Sequence, residues 1–274
     1  MARILVNGNR MGSFILEQGT CALNPKERRV KGAYLNDQFN SIIDSLEAVQ
    51  QRYERAESDS VAQACLDEYM HLLTSTIGDN IDNPIGYYLF LEYCYMIDAD
   101  AMMAAIEQYP DMKRYARVQK LVVAAERKLA SSIGKQFVDF EVEYDGKTYK
   151  LSDYVGRGKP VLVDFWASWC RPCMQEINGT LKEIYAKYAD KGLDVLGVAV
   201  WDEPKNTLGA IERAEIPWPC IINAQTIPTD AYGISGIPCI ILFAPDGTIV
   251  SRDLQGAALM RAVDAAMAEW GSEQ

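Results

Sequence analysis

Apolar residues recur with different spacings along this chain of 274 residues, and the changes of spacing divide it into three parts. In residues 1–35, short apolar runs at 14–16 and 21–23 lie on either side of Gly19, a pattern that predicts short strands joined by a turn. This β-rich segment is too short to bury a core alone. We interpret it as the remnant of a larger β domain.

Residues 36–132 carry apolar side chains at the spacing of an amphipathic helix. The first run consists of Phe39, Ile42, Ile43, Leu46, Val49 and Tyr53. Further along, Asn83 and Pro84 form a helix start, and similar spacing predicts helices over 100–108 and 111–130. The pattern therefore predicts a helical domain in this part of the chain.

Residues 133–274 combine continuous apolar runs with helical spacing. The runs at 161–166 and 195–200 predict strands that are buried on both faces, and residues 171–189 between them predict a helix. A hairpin over 239–250 and a terminal helix follow. The predicted fold class is α/β: a mixed sheet with helices on both faces, preceded by the α-helical domain and its short β segment.

Two cysteines, Cys170 and Cys173, stand where the first buried strand of this last part gives way to the helix. Unpaired N–H groups at a helix start favour an anion there, so we expect a lowered pKa and a reactive thiolate at Cys170. Arg171 adds a positive charge beside it. The spacing also lets Cys173 attack a mixed disulfide formed on Cys170. The pattern predicts a redox-active pair.

Other interpretations of this pair fit the sequence less well. A structural zinc site usually needs four ligands, and the chain offers one such pair and a single histidine, His71. Covalent haem attachment requires a histidine after the second cysteine, where Met174 stands. A purely structural disulfide stays open, although the strand and helix on either side argue against it.

The C-terminal part resembles the thioredoxin fold and, more closely, the TlpA/ResA-like thiol–disulfide oxidoreductases. The matching pieces are residues 134–140, 151–154, 161–170, 232–238 and 245–247. The helical region before them looks like the N-terminal half of members of this family from Bacteroidetes-type bacteria. We therefore predict three domains: a β-rich segment at 1–35, a helical domain at 36–132 and a thioredoxin-like domain at 133–274.

The resemblance implies a role for each residue that matches the family's motif. It makes Cys170 the attacking thiolate and Cys173 the resolving thiol. It also implies that Pro238 follows a cis peptide bond, so that the backbone of Ile237 faces the disulfide and can pair with a substrate peptide. The substrate-binding residues that we infer are Trp169, Arg171, Pro172, Ile237 and Pro238.

Two acidic residues belong to the same candidate site. Asp164, six residues before Cys170, matches the buried acid of thioredoxin. Burial should raise its pKa and let it accept a proton from Cys173, unless it is a structural, hydrogen-bonded aspartate. Glu176 lies three residues after Cys173, hence on the same helical face, and matches a family glutamate that tunes the thiols. The alternative for Glu176 is an exposed and inert side chain.

Two positions depart from the family's pattern. Asn178 occupies the place of a proline that often kinks the helix, which leaves the kink open. Cys239 replaces the threonine or serine common after the cis proline. It either offers an alternative thiol near the pair or is a small buried side chain that faces away, and Cys220 has the same two interpretations.

The composition excludes some function classes. The formal charge is −11 without a basic patch, so we expect no nucleic-acid partner. No stretch approaches the roughly 18 apolar residues of a membrane helix. The N-terminus lacks a signal-peptide core, so the chain is either cytosolic or has lost a leader, while the resemblance implies the periplasm or cell envelope. We predict no cofactor and no metal.

The leading hypothesis is a thiol–disulfide oxidoreductase that reduces protein disulfides through a Cys170/Cys173 cycle. Its partners would be protein thiols and disulfides and an unidentified electron-donor thiol protein. A disulfide oxidase or isomerase, and a redox-inactive scaffold, remain as alternatives. Peroxidase activity is disfavoured, because Ala167 stands where a peroxidatic cysteine has a threonine three residues before it.

Overall fold

The computed structural model describes residues 2–6 and 9–271 of the chain. It divides into two compact units, Met1–Gln119 and Lys120–Gln274. The three-domain division drawn from the sequence stays a prediction. No described helix combines the length and the apolar composition that crossing a bilayer requires.

The first unit contains short antiparallel hairpins followed by helices. Its strands are β1 (Ala2–Val6), β2 (Asn9–Phe14), β3 (Ala22–Asn24) and β4 (Arg29–Lys31), paired β1 with β2 and β3 with β4. Its helices are α1 (Tyr34–Glu54), α2 (Asp59–Asp79), α3 (Pro84–Met96) and α4 (Ala99–Gln108), followed by a 3₁₀ helix (Pro110–Arg114). Helix α5 (Ala116–Ala130) contains the division between the units.

Local capping explains where two of these helices begin. Asn83 caps α3, as predicted, by accepting the Ile85 N–H at 2.8 Å. Helix α1 has no side-chain cap of its own. Instead, the Glu17 carboxylate from the β segment accepts the N–H groups of Leu35 and Asn36 at 2.9 and 2.8 Å. The short β segment therefore stabilises the start of the first helix.

The predicted helix over 111–130 is interrupted. Tyr115 has an extended backbone, which separates the 3₁₀ helix from α5. Its ring stacks on Tyr87 with centroids 4.0 Å apart. Apolar spacing alone did not indicate this break, because Met112, Tyr115, Val118 and Val122 keep a spacing of three to four residues across it.

The strands of the second unit are β5 (Glu141–Tyr144) and β6 (Lys147–Lys150), which form a separate hairpin, then β7 (Val161–Trp166), β8 (Asp194–Val200), β9 (Cys220–Gln225), β10 (Cys239–Phe243) and β11 (Ile249–Arg252). The last five form one mixed sheet with the order β11-β10-β7-β8-β9. Strands β7, β8 and β9 run parallel, and β10 and β11 complete the sheet antiparallel. This is the thioredoxin-like α/β fold that the sequence predicts.

Helices and short turns surround this sheet. They are a 3₁₀ turn (Leu151–Asp153), α6 (Arg171–Glu176), a π-helical segment (Ile177–Leu181), α7 (Lys182–Tyr188), a second 3₁₀ turn (Ala189–Lys191), α8 (Pro204–Arg213), α9 (Ile227–Tyr232) and α10 (Gly256–Gly271). Helix α6, the π segment and α7 follow one another without a break, as the predicted helix over 171–189 requires.

The sheet separates two apolar cores. Because side chains alternate along a strand, Leu162 and Trp166 of β7 face one core, together with Cys173 and α10 residues such as Leu259. Val163 and Phe165 face the other core. Every residue of β7 is buried, which explains why all its residues except Asp164 are apolar.

Gly233 allows close packing between the end of α9 and α5. Its φ is +60°, and a Cβ there would meet the Ala124 carbonyl oxygen and lie 2.6 Å from the Lys128 backbone nitrogen. We expect Gly233→Ala to lower the free energy of unfolding by about 3 kcal/mol, because the new Cβ would strain the left-handed backbone and collide with the backbone of α5. Urea denaturation measures this change. Gly179→Ala, whose Cβ meets no atom within 4 Å, is the control; equal stability of the two variants would contradict the packing argument.

Candidate active site

The two cysteines lie at the start of α6, directly beyond the carboxyl end of β7. Cys170 is the residue before the first turn of the helix, and its Sγ accepts the Cys173 backbone N–H at 3.2 Å. The two residues form a disulfide. The same N–H would donate to a Cys170 thiolate after reduction, which lowers the energy of the charged form.

The two cysteines differ in solvent exposure. Cys170 retains 4% exposure, whereas Cys173 is fully buried. Around them, Arg171 and Pro172 are exposed, and the Trp169 side chain is 61% exposed while its Nε1 donates to the Trp201 carbonyl oxygen at 3.0 Å. An incoming disulfide can therefore approach Cys170 more readily than Cys173.

The loop before β10 lies next to the disulfide. The peptide bond between Ile237 and Pro238 is cis, as the resemblance implies. The Ile237 carbonyl oxygen lies 3.7 Å from Cys170 Sγ, and both loop residues are half-buried. The structure thus brings these two predicted substrate-binding residues beside Cys170.

Asp164 lies in the middle of β7, on the face that Leu162 and Trp166 present to the core containing Cys173. It is fully buried, and neither carboxyl oxygen has a hydrogen-bond partner among the described residues. Burial, with a smaller contribution from Glu176, raises the pKa of Asp164 well above its usual value. The arrangement differs from the alternative of a hydrogen-bonded structural aspartate.

Glu176 is half-buried and has a specific partner. Its Oε2 accepts the backbone N–H of Gly256, the first residue of α10, at 3.1 Å. The carboxylate therefore joins the end of α6 to the start of α10, while its charge acts on Asp164. This placement departs from the exposed, inert side chain of the alternative interpretation.

The helix changes its geometry at the position of the missing proline. Residues Ile177–Leu181 are π-helical, and the Asn178 side chain donates to the Met174 carbonyl oxygen at 2.9 Å. A π segment widens one turn and is a recognised cause of helix bending. This chain therefore departs from regular α-helix at the turn that contains Asn178.

The two further cysteines occupy different faces of the sheet. Cys239 belongs to the core opposite the disulfide, and its thiol donates to Asp253 Oδ1 at 3.2 Å. It is thus a small buried side chain that faces away. Cys220 lies on the edge strand β9, and burial together with the nearby Asp164 charge raises its pKa to about 12.

Sequence reasoning missed Asp202, which holds the loop before Cys170. Its Oδ2 accepts the Ser168 N–H at 2.7 Å and the Thr207 hydroxyl at 3.1 Å. Its Oδ1 accepts the Glu203 N–H at 2.9 Å. An acid two residues before the helix-starting proline Pro204 was the available signal.

Within the described part of the chain, no three His, Cys, Asp or Glu residues lie together as a metal site.

Known proteins resemble the part of the chain that carries this site. Residues 133–252 match the AhpC/TSA family. The chain is 32% identical over 123 residues to the thiol–disulfide oxidoreductase ResA of Geobacillus thermodenitrificans, covering 44% of this chain and 69% of that protein. It is 32% identical over 128 residues to ResA of Halalkalibacterium halodurans, covering 46% and 70%.

Solved structures of similar proteins were also found. The thioredoxin domain of a thiol–disulfide oxidoreductase from Bacteroides vulgatus is 30% identical, with a TM-score of 0.42, covering 49% of this chain and 96% of that one. A thiol–disulfide oxidoreductase from Bacteroides fragilis is 28% identical, with a TM-score of 0.43, covering 48% and 98%.

Proposed function

This chain belongs to the ResA family of thiol–disulfide oxidoreductases, and from that premise we propose that Cys170 and Cys173 are the cysteine pair that cycles between dithiol and disulfide. The observation that carries the proposal is the placement of these residues: a disulfide at a helix start, beside a cis-proline loop and above a buried acid. The redox module would be the predicted domain 133–274.

The reduced protein would begin with attack by the Cys170 thiolate on a substrate disulfide. One new S–S bond forms between Cys170 and the substrate, and the other substrate sulfur leaves and takes up a proton. The Cys173 N–H, 3.2 Å from Cys170 Sγ in the oxidised form, would stabilise the attacking thiolate. Its slight exposure makes Cys170, not Cys173, the attacking residue.

Resolution would need Cys173 to lose its proton in a buried place. We assign the acceptor to the ionised Asp164 carboxylate, whose raised pKa makes it a stronger base than an ordinary aspartate. The Cys173 thiolate then attacks Cys170 Sγ, the protein disulfide forms, and the substrate leaves as its second thiol. Two electrons pass from the cysteine pair to the substrate, and a thiol donor of the same chemistry must return them.

Substrate binding would use the surface around Cys170. Trp169, Arg171 and Pro172 offer exposed contacts, and the backbone of Ile237 before Pro238 can pair with an extended peptide. Glu176 would adjust the charge near the thiols through its effect on Asp164. The partners that follow are protein disulfides and one electron-donor thiol protein.

The direction that we propose is reduction of protein disulfides, and the compartment is the periplasm or cell envelope, as the family resemblance implies. A measured reduction potential of about −120 mV would instead favour a disulfide oxidase, because that value marks a strong oxidant. Fractionation of the source cells, followed by detection of the protein, tests its location.

Cys173→Ser is expected to accumulate a mixed disulfide between Cys170 and substrate, because the group that resolves it is gone. Mass spectrometry of the variant after exposure to a disulfide-containing protein should show the adduct, and dithiothreitol should release it. Cys239→Ser, which changes a buried thiol on the other face of the sheet, is the control and should show no adduct. Finding only free Cys170 in Cys173→Ser would reject the assignment.

A further inference from the structure

The loop between α9 and β10, residues 233–238, contains the cis peptide bond and approaches Cys170. Its residues belong to neither a helix nor a strand, and Ser235 and Gly236 at its centre are exposed. A short irregular segment with an exposed centre keeps one conformation only when its two ends are held by contacts with the rest of the fold. The contacts at the ends of this loop therefore decide how well it is ordered.

Two consecutive residues at the end of β11 reach the two ends of this loop. Arg252 donates from Nη2 to the carbonyl oxygen of Tyr232, directly before the loop, at 3.2 Å. Asp253 Oδ1 accepts the thiol hydrogen of Cys239, directly after the loop, at 3.2 Å. The Nε of Arg252 lies 3.4 Å from Asp253 Oδ2. One ion pair, which we call the clamp, thus joins the two ends of the loop.

The end of α5 holds the clamp in place. Lys128 Nζ lies 3.1 Å from Asp253 Oδ2. Arg252 donates from Nη1 to the carbonyl oxygen and to the hydroxyl oxygen of Ser131, at 2.7 and 2.8 Å. The same hydroxyl oxygen lies 3.2 Å from the Tyr232 carbonyl oxygen. The Arg252 side chain is only 8% exposed, so these contacts fix its guanidinium in one orientation.

Charge strengthens the contact at the second end of the loop. Burial by itself would raise the pKa of Asp253, but the Arg252 charge, the thiol hydrogen bond and Lys128 together lower it. Burial raises the pKa of the Cys239 thiol far above its usual range, so this thiol keeps its proton and is the donor. A hydrogen bond to an ionised acceptor is stronger than one between neutral groups.

The clamp lies on the face of the sheet that is turned away from the disulfide. Cys239 and Ile241 belong to the core opposite the cysteine pair, and Ile241 is the residue of β10 that pairs with Arg252. Arg252 and Asp253 therefore bind the ends of the loop from this opposite face. They can influence the reacting sulfur atoms and a substrate only through the backbone of the loop.

We propose that Arg252 and Asp253 are positioning residues, which order the loop so that the Ile237 backbone can pair with an extended substrate peptide. This inference rests on the proposed function and adds two residues to it. A loop released at its ends would have to be ordered again when the peptide binds, and that ordering costs free energy. A small disulfide without a peptide backbone makes no such pairing, so its reaction with Cys170 should not depend on the clamp.

The test compares two substrates of the reduced protein, insulin and 2-hydroxyethyl disulfide. Asp253→Ala should lower the second-order rate constant for insulin about tenfold and leave that for the small disulfide within about a factor of two. Asp264→Ala on α10 is the matched control, because Asp264 also binds a lysine and a hydroxyl group, those of Lys187 and Tyr188. It should change neither rate constant.

A pair of variants at Cys239 tests the same contact with the carboxylate left in place. Valine is close to cysteine in size but cannot donate to Asp253, so Cys239→Val should lower the rate constant for insulin about threefold. Cys239→Ser keeps a donor and should react like the wild type. The double variant Asp253→Ala/Cys239→Val should be no slower than Asp253→Ala, because both changes remove one contact. Equal losses toward both substrates, or wild-type rates with insulin in Asp253→Ala and Cys239→Val, would overturn the proposal.

Nitrogen-15 NMR relaxation of the oxidised protein measures the loop itself and needs no substrate. The order parameters of Ser235, Gly236 and Ile237 should fall from about 0.85 in the wild type to below about 0.6 in Asp253→Ala. Unchanged order parameters in a protein that reduces insulin would reject only the clamp. The expected fall, in a protein whose wild type reduces no disulfide, would reject only the proposed function.

Discussion

Cys170→Ser is expected to lower the rate of insulin reduction on the order of a thousandfold or more, to the background rate of the added dithiol. A serine hydroxyl is far less acidic than a thiol and cannot form the mixed disulfide, so the first step is lost. The helix start, which stabilises an anion at this position, cannot compensate, because serine stays protonated. Insulin turbidity with dithiothreitol as the electron source measures the effect.

The control is Cys21→Ser, which replaces an exposed thiol outside the disulfide by the same residue. Its activity should stay within a factor of a few of the wild type. Circular dichroism should show that both variants are folded, because serine is close to cysteine in volume. Equal activity in Cys170→Ser and the wild type would exclude the proposed mechanism, whatever the activity of the control.

Asp164→Asn is expected to stabilise the protein at alkaline pH and to leave stability nearly unchanged near pH 4. The pKa of Asp164 is raised in the folded state, mainly by burial, above the unfolded value of about 3.9. Stability from the protonated carboxyl is therefore fully present below the unfolded pKa and is lost as pH rises through the folded pKa. Asparagine has no proton to lose, so the variant avoids this loss.

The difference in the free energy of unfolding between wild type and Asp164→Asn should grow by about 1.4 kcal/mol per pH unit between the unfolded and the folded pKa of Asp164, and then level off. Urea denaturation at several pH values measures it. Asp194→Asn, which changes an exposed acid on β8, is the control. A flat difference from pH 4 to pH 9 in Asp164→Asn would mean that the buried carboxyl has an ordinary pKa.

The same substitution separates stability from catalysis. If Asp164 accepts the Cys173 proton, Asp164→Asn should slow resolution of the mixed disulfide by about a hundredfold at neutral pH. The slowing should shrink as the pH rises, because hydroxide can then remove the proton directly. A stabilised protein with an unchanged resolution rate would assign Asp164 no part in the proton transfer.

Several features of the site could be predicted from local sequence. The apolar run of β7, followed by the cysteine spacing and the helical pattern, placed Cys170 at a helix start, and the structure has it there. Asp164 in an apolar strand predicted a buried acid with a raised pKa, because alternation leaves an acid in a doubly buried strand no path to water. The cis bond before Pro238 came from the resemblance rather than from the residues alone.

Other features depend on residues far apart in the chain. Asp202 holds the Ser168 N–H across 34 positions, and Glu176 reaches Gly256 across 80 positions. The direction of Cys239 away from the disulfide follows from its register with Phe165 on β7. None of these contacts leaves a periodic signal, since a hydrogen bond between distant segments depends on how the strands and helices pack.

By itself, the sequence determined the α/β class, the helical region before it and the position of the cysteine pair, because strand and helix periodicities and a four-residue motif are local properties. The tertiary structure decided which groups surround that pair: the fully buried and unpartnered Asp164, the close approach of Trp166 and Cys220 to Gly197, and the π-helical turn after Glu176. These depend on strand register and on packing across the sheet, which bring together residues that no local pattern connects.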